Sequence, residues 1–303
     1  MSRTQPLEGP ARQRAGLGIA LRVAAMALFA VMSALIKWCG AHGVPVFQMI
    51  FFRNAFAFVP LALYIFSTTG PRVLITRRPL GHLARASVGL VGMTCSFTAL
   101  QYLPLTVATA FNFASPLFMT ALSAPILHEK VGQHRWGAVV VGFLGVLIMV
   151  RPDPGKMNLM GAGFALAGAV AAAGAMVTIR EIGKTEKGPT IVFYFTLGGA
   201  AVGLASLPFG WVMPSVQILE LLVVMGLIGG VGQLLMTEAL RVAPVGVVAP
   251  FDYIQLLWAS LIGFSIWGEV PEPVTMAGAM VVAASGGYIL WREIRAARMA
   301  RTV

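Results

Sequence analysis

The chain of 303 residues is 58% hydrophobic and 11% charged, against about 25% charged in a typical soluble domain. So few charges cannot cover a water-facing surface, which excludes an ordinary soluble enzyme. The formal net charge of +11 is spread between apolar runs, which points to anionic lipid headgroups and topology control rather than to a nucleic-acid partner.

A spanning segment must satisfy its own backbone hydrogen bonds, and roughly 20 apolar residues cross a bilayer. The sequence therefore predicts an all-α membrane protein. A basic tail over 1–16 precedes spans at 17–37, 46–66, 84–101, 105–127 and 136–150, the last extending toward Gln133. A linker over 151–157 follows. Further spans are predicted at 158–179, 190–208, 216–237, 245–267 and 274–291, before a second basic tail over 292–303. The first run is an uncleaved helix rather than a signal peptide, because nine more spans follow it.

Lys and Arg alternate in density between successive gaps. One set of gaps holds Arg3, Arg12, Arg14; Arg72, Arg77, Arg78, Arg85; Lys130, Arg135; Arg180, Lys184, Lys187; Arg241; and Arg292, Arg295, Arg298, Arg301. The other set holds Lys37, Arg151 and Lys156. This asymmetry places both termini in the cytoplasm and excludes dual topology. The GxxxG pairs Gly199/Gly203 and Gly226/Gly230 are expected to let helices pack closely within one bundle.

The region around Leu100 lies on the region around Leu240 at a constant shift. Ala99-Leu100 matches Ala239-Leu240, and Pro104, Val107, Phe111, Leu117 and Glu129 match Pro244, Val247, Phe251, Leu257 and Glu269. Asn112 falls on Asp252, and Phe113 on Tyr253. Five spans is an odd number, so the second copy enters from the opposite side. The expectation is two inverted five-helix repeats, 17–150 and 158–291, an arrangement suited to moving a solute by alternating access.

Enzyme signatures fail. His128-Glu129 is followed by His134, a spacing of six rather than the HExxH spacing, and there is no Walker A motif. Gly263 to Trp267 fails GxSxG. Cys39 and Cys95 form no CxxC and read as small apolar residues. No catalytic residue, metal site or cofactor is expected.

Ionisable groups within spans are costly and are the candidates for chemistry. Arg53 is either a cationic contact for a carboxylate, a partner for an acid, or a snorkelling side chain. Lys37 is a gate, a substrate contact or an interface anchor. Asp252, too short to snorkel far, is a substrate or proton site or else makes a structural hydrogen bond to a neighbouring helix, and Asn112 is its repeat mate. Phe111 and Tyr253, with Phe113, Phe251 and Trp258, are either an aromatic wall beside them or ordinary aromatic packing. Pro116 and Pro250 would free the carbonyls of residues 112 and 246 there. Arg22 reads as a snorkelling anchor, Glu129 and Glu269 as helix-end groups, and Glu238 as a partner for Arg241. Gln101, Gln233 and Gln255 are weaker cavity candidates.

The chain resembles the EamA branch of the drug/metabolite transporter superfamily over about residues 18–292. The features are Lys37 closing span 1, Pro45, Phe51-Phe52-Arg53-Asn54, the duplicated Ala-Leu-x-x-x-Pro at 99–104 and 239–244, and Glu129 and Glu269. Leu197 opposes Arg53 in the second copy, so the arginine is not duplicated. The resemblance implies an inner-membrane carrier of a small organic metabolite, amino-acid-like, zwitterionic or an amino-acid-derived chelator. Export is preferred on family grounds. The alternative is uptake of a cofactor-like solute such as riboflavin or S-adenosylmethionine, and a membrane enzyme or scaffold is the remote alternative. Membrane lipid is an expected partner, and a homodimer is the one protein partner considered.

Overall fold

The computed structural model describes residues 9–115, 117–119, 121–122, 133–150, 158–243 and 249–299. Among the described residues the fold is all-helical, with no strand. The helices are α1 (Gly9–Ala41), α2 (Val46–Tyr64), α3 (Pro79–Tyr102), α4 (Leu105–Asn112), α5 (Gln133–Val150), α6 (Leu159–Ile182), α7 (Gly188–Ala205), α8 (Val216–Val242), α9 (Ile254–Trp267) and α10 (Pro273–Met299). Among the described residues six stretches are long and apolar enough to cross a membrane: Gly16–Ala41, Val46–Thr69, Pro79–Tyr102, Leu159–Ile179, Gly188–Ala205 and Val216–Ala239. Trp136–Ile148 and Pro273–Ile289 are shorter apolar helices. Large exposed apolar side chains, such as Val140, Leu144 and Leu147 on α5, are those that lipid solvates.

Several boundaries differ from the sequence reading. α1 begins at Gly9 rather than residue 17, because good helix formers such as Gln13, Arg14 and Ala15 carry the backbone ladder past the apolar run. α3 begins at Pro79, which occupies the first helical turn, where a missing N–H costs nothing. Arg85, counted above with the loop cations at the edge of the span 84–101, therefore lies well inside α3. α7 stops at Ala205, and a 3-10 turn over Leu207–Phe209 follows. Asp252 sits in a 3-10 turn, Ala249–Tyr253, rather than inside a continuous helix. α4 ends at Asn112, with a turn at 113–114. Pro116, Glu129, Pro244, Gly246 and Val247 lie outside the described residues, as do the linker at 151–157 and the far ends of both tails.

α1 packs on α8 and α9, α3 on α6 and α7, α2 between α7 and α8, α4 on α6 and α9, and α5 on α10. Glycine sets the closest of these approaches. A Cβ on Gly203 would stand 2.7 Å from the backbone of Phe51, and one on Gly226 would stand 2.5 Å from the carbonyl oxygen of Phe52. Both GxxxG pairs thus clasp α2 within the same chain.

The connections gather at two faces. On the near face, where α1 starts, the segment after α2 folds against α7. Thr190 Oγ1 donates to the Val73 carbonyl at 2.5 Å and Tyr194 Oη to that of Leu74 at 3.0 Å. On the far face Gln48 exchanges two hydrogen bonds with the backbone of Val212, at 2.9 and 3.1 Å, and ties the α7–α8 connection to the start of α2.

Candidate functional site

One stripe of α1 organises the site. Arg22, Phe29, Ser33, Ile36 and Lys37 recur at helical spacing and share a face. Arg22 and Lys37 are separated by about 22 Å of rise.

At the near end of the stripe the Arg22 guanidinium grips Asp252 with two donors, Nε to Oδ1 and Nη2 to Oδ2 at 2.6 Å. Arg22 is buried, so it is no snorkelling anchor. An acid at its own depth, 230 residues away in sequence, makes that burial affordable. Both oxygens of Asp252 are occupied in this conformation.

At the far end Lys37 Nζ donates to Glu269 Oε1 and, at 2.9 Å, to the Leu103 carbonyl. It also lies 5.2 Å from the ring centre of Trp267. Glu269 reaches this point because Gly268 takes a left-handed φ of 65°, a conformation without steric penalty only for glycine. The Gly268 N–H then bonds the Phe264 carbonyl at 2.9 Å and that of Glu269 the Gly263 carbonyl at 3.1 Å. The second carboxylate oxygen accepts the Leu105 N–H at 2.8 Å, one of the donors that the start of α4 leaves unpaired. Gly263 leaves it room, since a Cβ there would stand 3.0 Å from that oxygen. Glu269 is therefore one half of a knot joining α1, the α3–α4 corner and α9, rather than a simple helix-end group.

Between the two ion pairs lies a cavity of about 160 Å³, room for on the order of ten water molecules. α1 lines it with Phe29, Met32, Ser33 and Ile36, α3 with Ser96 and Phe97, α4 with Thr109 and Asn112, and α9 with Gln255. Ser33 and Thr109 donate to carbonyls one turn earlier, Phe29 at 2.9 Å and Leu105 at 2.8 Å, which leaves their oxygens as acceptors. Hydroxyls and amides on an apolar, aromatic wall suit an amphiphilic organic molecule. No ionisable side chain among the described residues lines this cavity.

The six residues singled out from the sequence distribute as follows. Asn112 lines the cavity, while Lys37 and Asp252 stand beyond its two ends along α1, each in an ion pair. Tyr253 packs its ring edge-on against Phe113, centroids 4.9 Å apart at 62°. Phe111 is fully buried in the core and does not line the cavity. Arg53 is only 6% exposed, so it does not snorkel, and it borders a separate hollow of about 10 Å³ between α2, α7 and α8. Gln255 lines the central cavity and Gln233 the small hollow. Gln101 instead bonds the carbonyls of Ile36 and Phe97 at 3.4 and 3.3 Å. Glu238 accepts from Tyr64 Oη; the Arg241 side chain lies outside the described residues. Ser33, Ser96 and Thr109 went unremarked in the sequence, where small hydroxyls in apolar helices carry no signal of their own.

Comparison with known proteins agrees with this architecture. Residues 16–151 and 159–291 each match the EamA-like transporter family. The pseudopaline exporter CntI of Pseudomonas aeruginosa is 30% identical over 269 residues, covering 88% of this chain and 93% of its own. The S-adenosylmethionine uptake transporter of Rickettsia bellii is 28% identical, covering 82% and 85%. The riboflavin transporter of Vibrio cholerae is 28% identical, covering 91% and 93%. A solved crystal structure superposes with a TM-score of 0.63 at 18% identity, over 91% of this chain and 98% of the other, a likeness of fold. The chain is a multi-pass membrane protein and belongs to the EamA-like transporter family.

Proposed function

We propose that the protein carries a small organic metabolite across the bacterial inner membrane by alternating access, and that both termini are cytoplasmic. The observation that carries this reading is the central cavity flanked along α1 by two ion pairs, Arg22–Asp252 and Lys37–Glu269. Both pairs join α1 to the chain around α9. Releasing Lys37–Glu269 would open the far face, releasing Arg22–Asp252 the near face, and the cavity lies within reach of both.

Ten spans in two inverted five-helix units, 17–150 and 158–291, explain the packing. Exchange of the units turns α1 on α8 into α6 on α3, α1 on α9 into α6 on α4, and α2 on α8 into α7 on α3, all of which occur. The repeat mates Phe113 and Tyr253 meet ring to ring, as residues beside a two-fold axis should. The family match to each unit supports the same reading.

The amphiphilic lining fits an amino-acid-like or zwitterionic solute, or an amino-acid-derived chelator. Export is the direction we assign, by likeness to the pseudopaline exporter. Uptake is the second reading, favoured by the S-adenosylmethionine and riboflavin relatives. Asp252, once freed from Arg22, is the group we assign to proton coupling. Asn112 and Gln255 are the amides we assign to the solute.

Proteoliposomes loaded with a small-molecule extract of bacterial cells test the reading. Mass spectrometry should show a few compounds leaving only when the protein is present. Retention of every compound overturns transport, and conversion of a compound without loss indicates the enzyme alternative. Inside-out vesicles that accumulate the same compound from the medium establish export.

A further inference from the structure

Arg53 and Arg85 approach the same aromatic ring. Their guanidinium carbons lie 5.8 and 4.3 Å from the ring centre of Phe195 on α7. Arg53 spends Nη1 on the Asn54 amide oxygen at 3.0 Å, and Asn54 is fixed in turn by the Ile50 carbonyl at 2.8 Å. Nε of Arg53 and both Nε and Nη1 of Arg85 are buried with no hydrogen-bond partner. None of the ion pairs among the described residues includes either arginine. Asp252 and Glu269 are engaged elsewhere.

Glycines hollow out the place that these groups occupy. A Cβ on Gly89 would stand 2.0 Å from Arg85 Nη1, and one on Gly199 2.4 Å from the Asn54 amide that holds Arg53. A buried Arg53 beside a half-buried Arg85 whose Nε and Nη1 are themselves shielded, with no counter-ion among the described residues, is a costly arrangement in a low-dielectric interior. A fold that makes room for them needs an anion to arrive. By helix rise, Arg53 is about 11 Å from the far end of α2 and Arg85 about 9 Å from the near end of α3. Arg53 is thus too deep for a headgroup held at the interface. The adjoining hollow of about 10 Å³, lined by Arg53 and Phe195, admits about one water-sized group, room for one oxygen of an incoming anion.

We infer that Arg53 and Arg85, over Phe195, form a carboxylate-binding subsite beside the central cavity, so that the transported solute is one bearing a carboxylate. Met32 separates the two spaces. It lines the cavity, and its sulfur lies 2.9 Å from a Cβ built on Gly229, itself a wall of the hollow. An unbranched thioether swings aside readily, which would join carboxylate hollow and cavity. The role in transport rests on the function proposed above; the anion chemistry does not.

The test uses the full-length protein purified in detergent and followed by thermal unfolding. Benzoate and benzamide at equal ionic strength are the probes, because they differ in the carboxylate alone. Benzoate should raise the melting temperature of the wild type and benzamide should not. Arg53→Met and Arg85→Met should each abolish the benzoate shift. Each should also melt above the wild type without ligand, because an uncompensated charge has been removed; a structural arginine would give the opposite sign. A benzoate shift that survives in both variants overturns the proposal. So does a shift given by phosphatidylglycerol or inorganic phosphate and not by benzoate. If the proteoliposomes carry nothing while benzoate still binds, the subsite stands and the transport reading falls. If solutes are carried normally by both variants, the subsite falls and the transport reading stands.

Discussion

Glu186 shows what a single carboxylate does outside the membrane spans. It lies between α6 and α7, where it accepts from Thr76 Oγ1 and from the Arg77 N–H, both at 3.1 Å. It also faces His82 Nε2 at 3.6 Å. Burial pushes its carboxyl up, but the Arg77 and Thr76 hydrogen bonds and the His82 ring outweigh that and hold it below the ordinary carboxylate value. A depressed value means stability that is present above the unfolded value of about 4.3 and lost as pH falls through the folded one. Glu186→Gln should therefore melt below the wild type at neutral pH, and the two should converge as the medium is acidified below about pH 4. A constant gap across the acid range would show that hydrogen-bond geometry, not charge, is what Glu186 supplies. The same residue scale explains why Arg85 was counted with the loop cations although it fell at the edge of the predicted span 84–101: its neighbours Arg77 and Arg78 look like loop cations, while Pro79 was the available signal that a helix had already begun.

Among elements, α2 is the one whose position glycine dictates. Gly199 and Gly203 of α7 take it on one side, and Gly226 and Gly230 of α8 on the other. At Gly203 the obstacle to a side chain is the backbone of Phe51, which has no rotamer to move. Gly203→Ala should therefore push α7 off α2 and lower unfolding stability by about 1–3 kcal/mol, measured by denaturant titration in micelles. Gly163→Ala on α6, where nothing lies within 4 Å, should be neutral or slightly stabilising, as helix propensity predicts. Equal losses at the two sites would refute the packing account. The spacing of these glycines was legible in the sequence; that both pairs grip the same helix was not.

For the molecule as a whole, the two ion pairs make opposite predictions about access. In a background lacking Cys39 and Cys95, Ser33→Cys places a thiol in the central cavity. Adding Lys37→Ala should expose it to a membrane-impermeant maleimide from the far face, and adding Arg22→Ala should expose it from the near face. Labelling from the same face in both proteins would remove the ion pairs from any gating role. The all-helical, multi-pass character of the fold was readable from the sequence, because apolar length is a local signal. The site was less readable. Asp252 and Lys37 were visible as charges inside apolar runs, yet their partners Arg22 and Glu269 looked like anchors at helix ends.

The amino-acid sequence by itself determined that the chain belongs in lipid, because 58% apolar residues leave no other solvent, and that its helices are all that its backbone can afford there. Only the tertiary structure decided which charges meet. Arg22 with Asp252 and Lys37 with Glu269 are joined across 230 and 232 residues of chain, and Arg53 with Arg85 are left together with no acid paired to them among the described residues. Charge pairing depends on depth and facing direction in a packed bundle, and those are fixed by how α1, α2, α3 and α9 lie against one another, not by any residue's neighbours in the sequence.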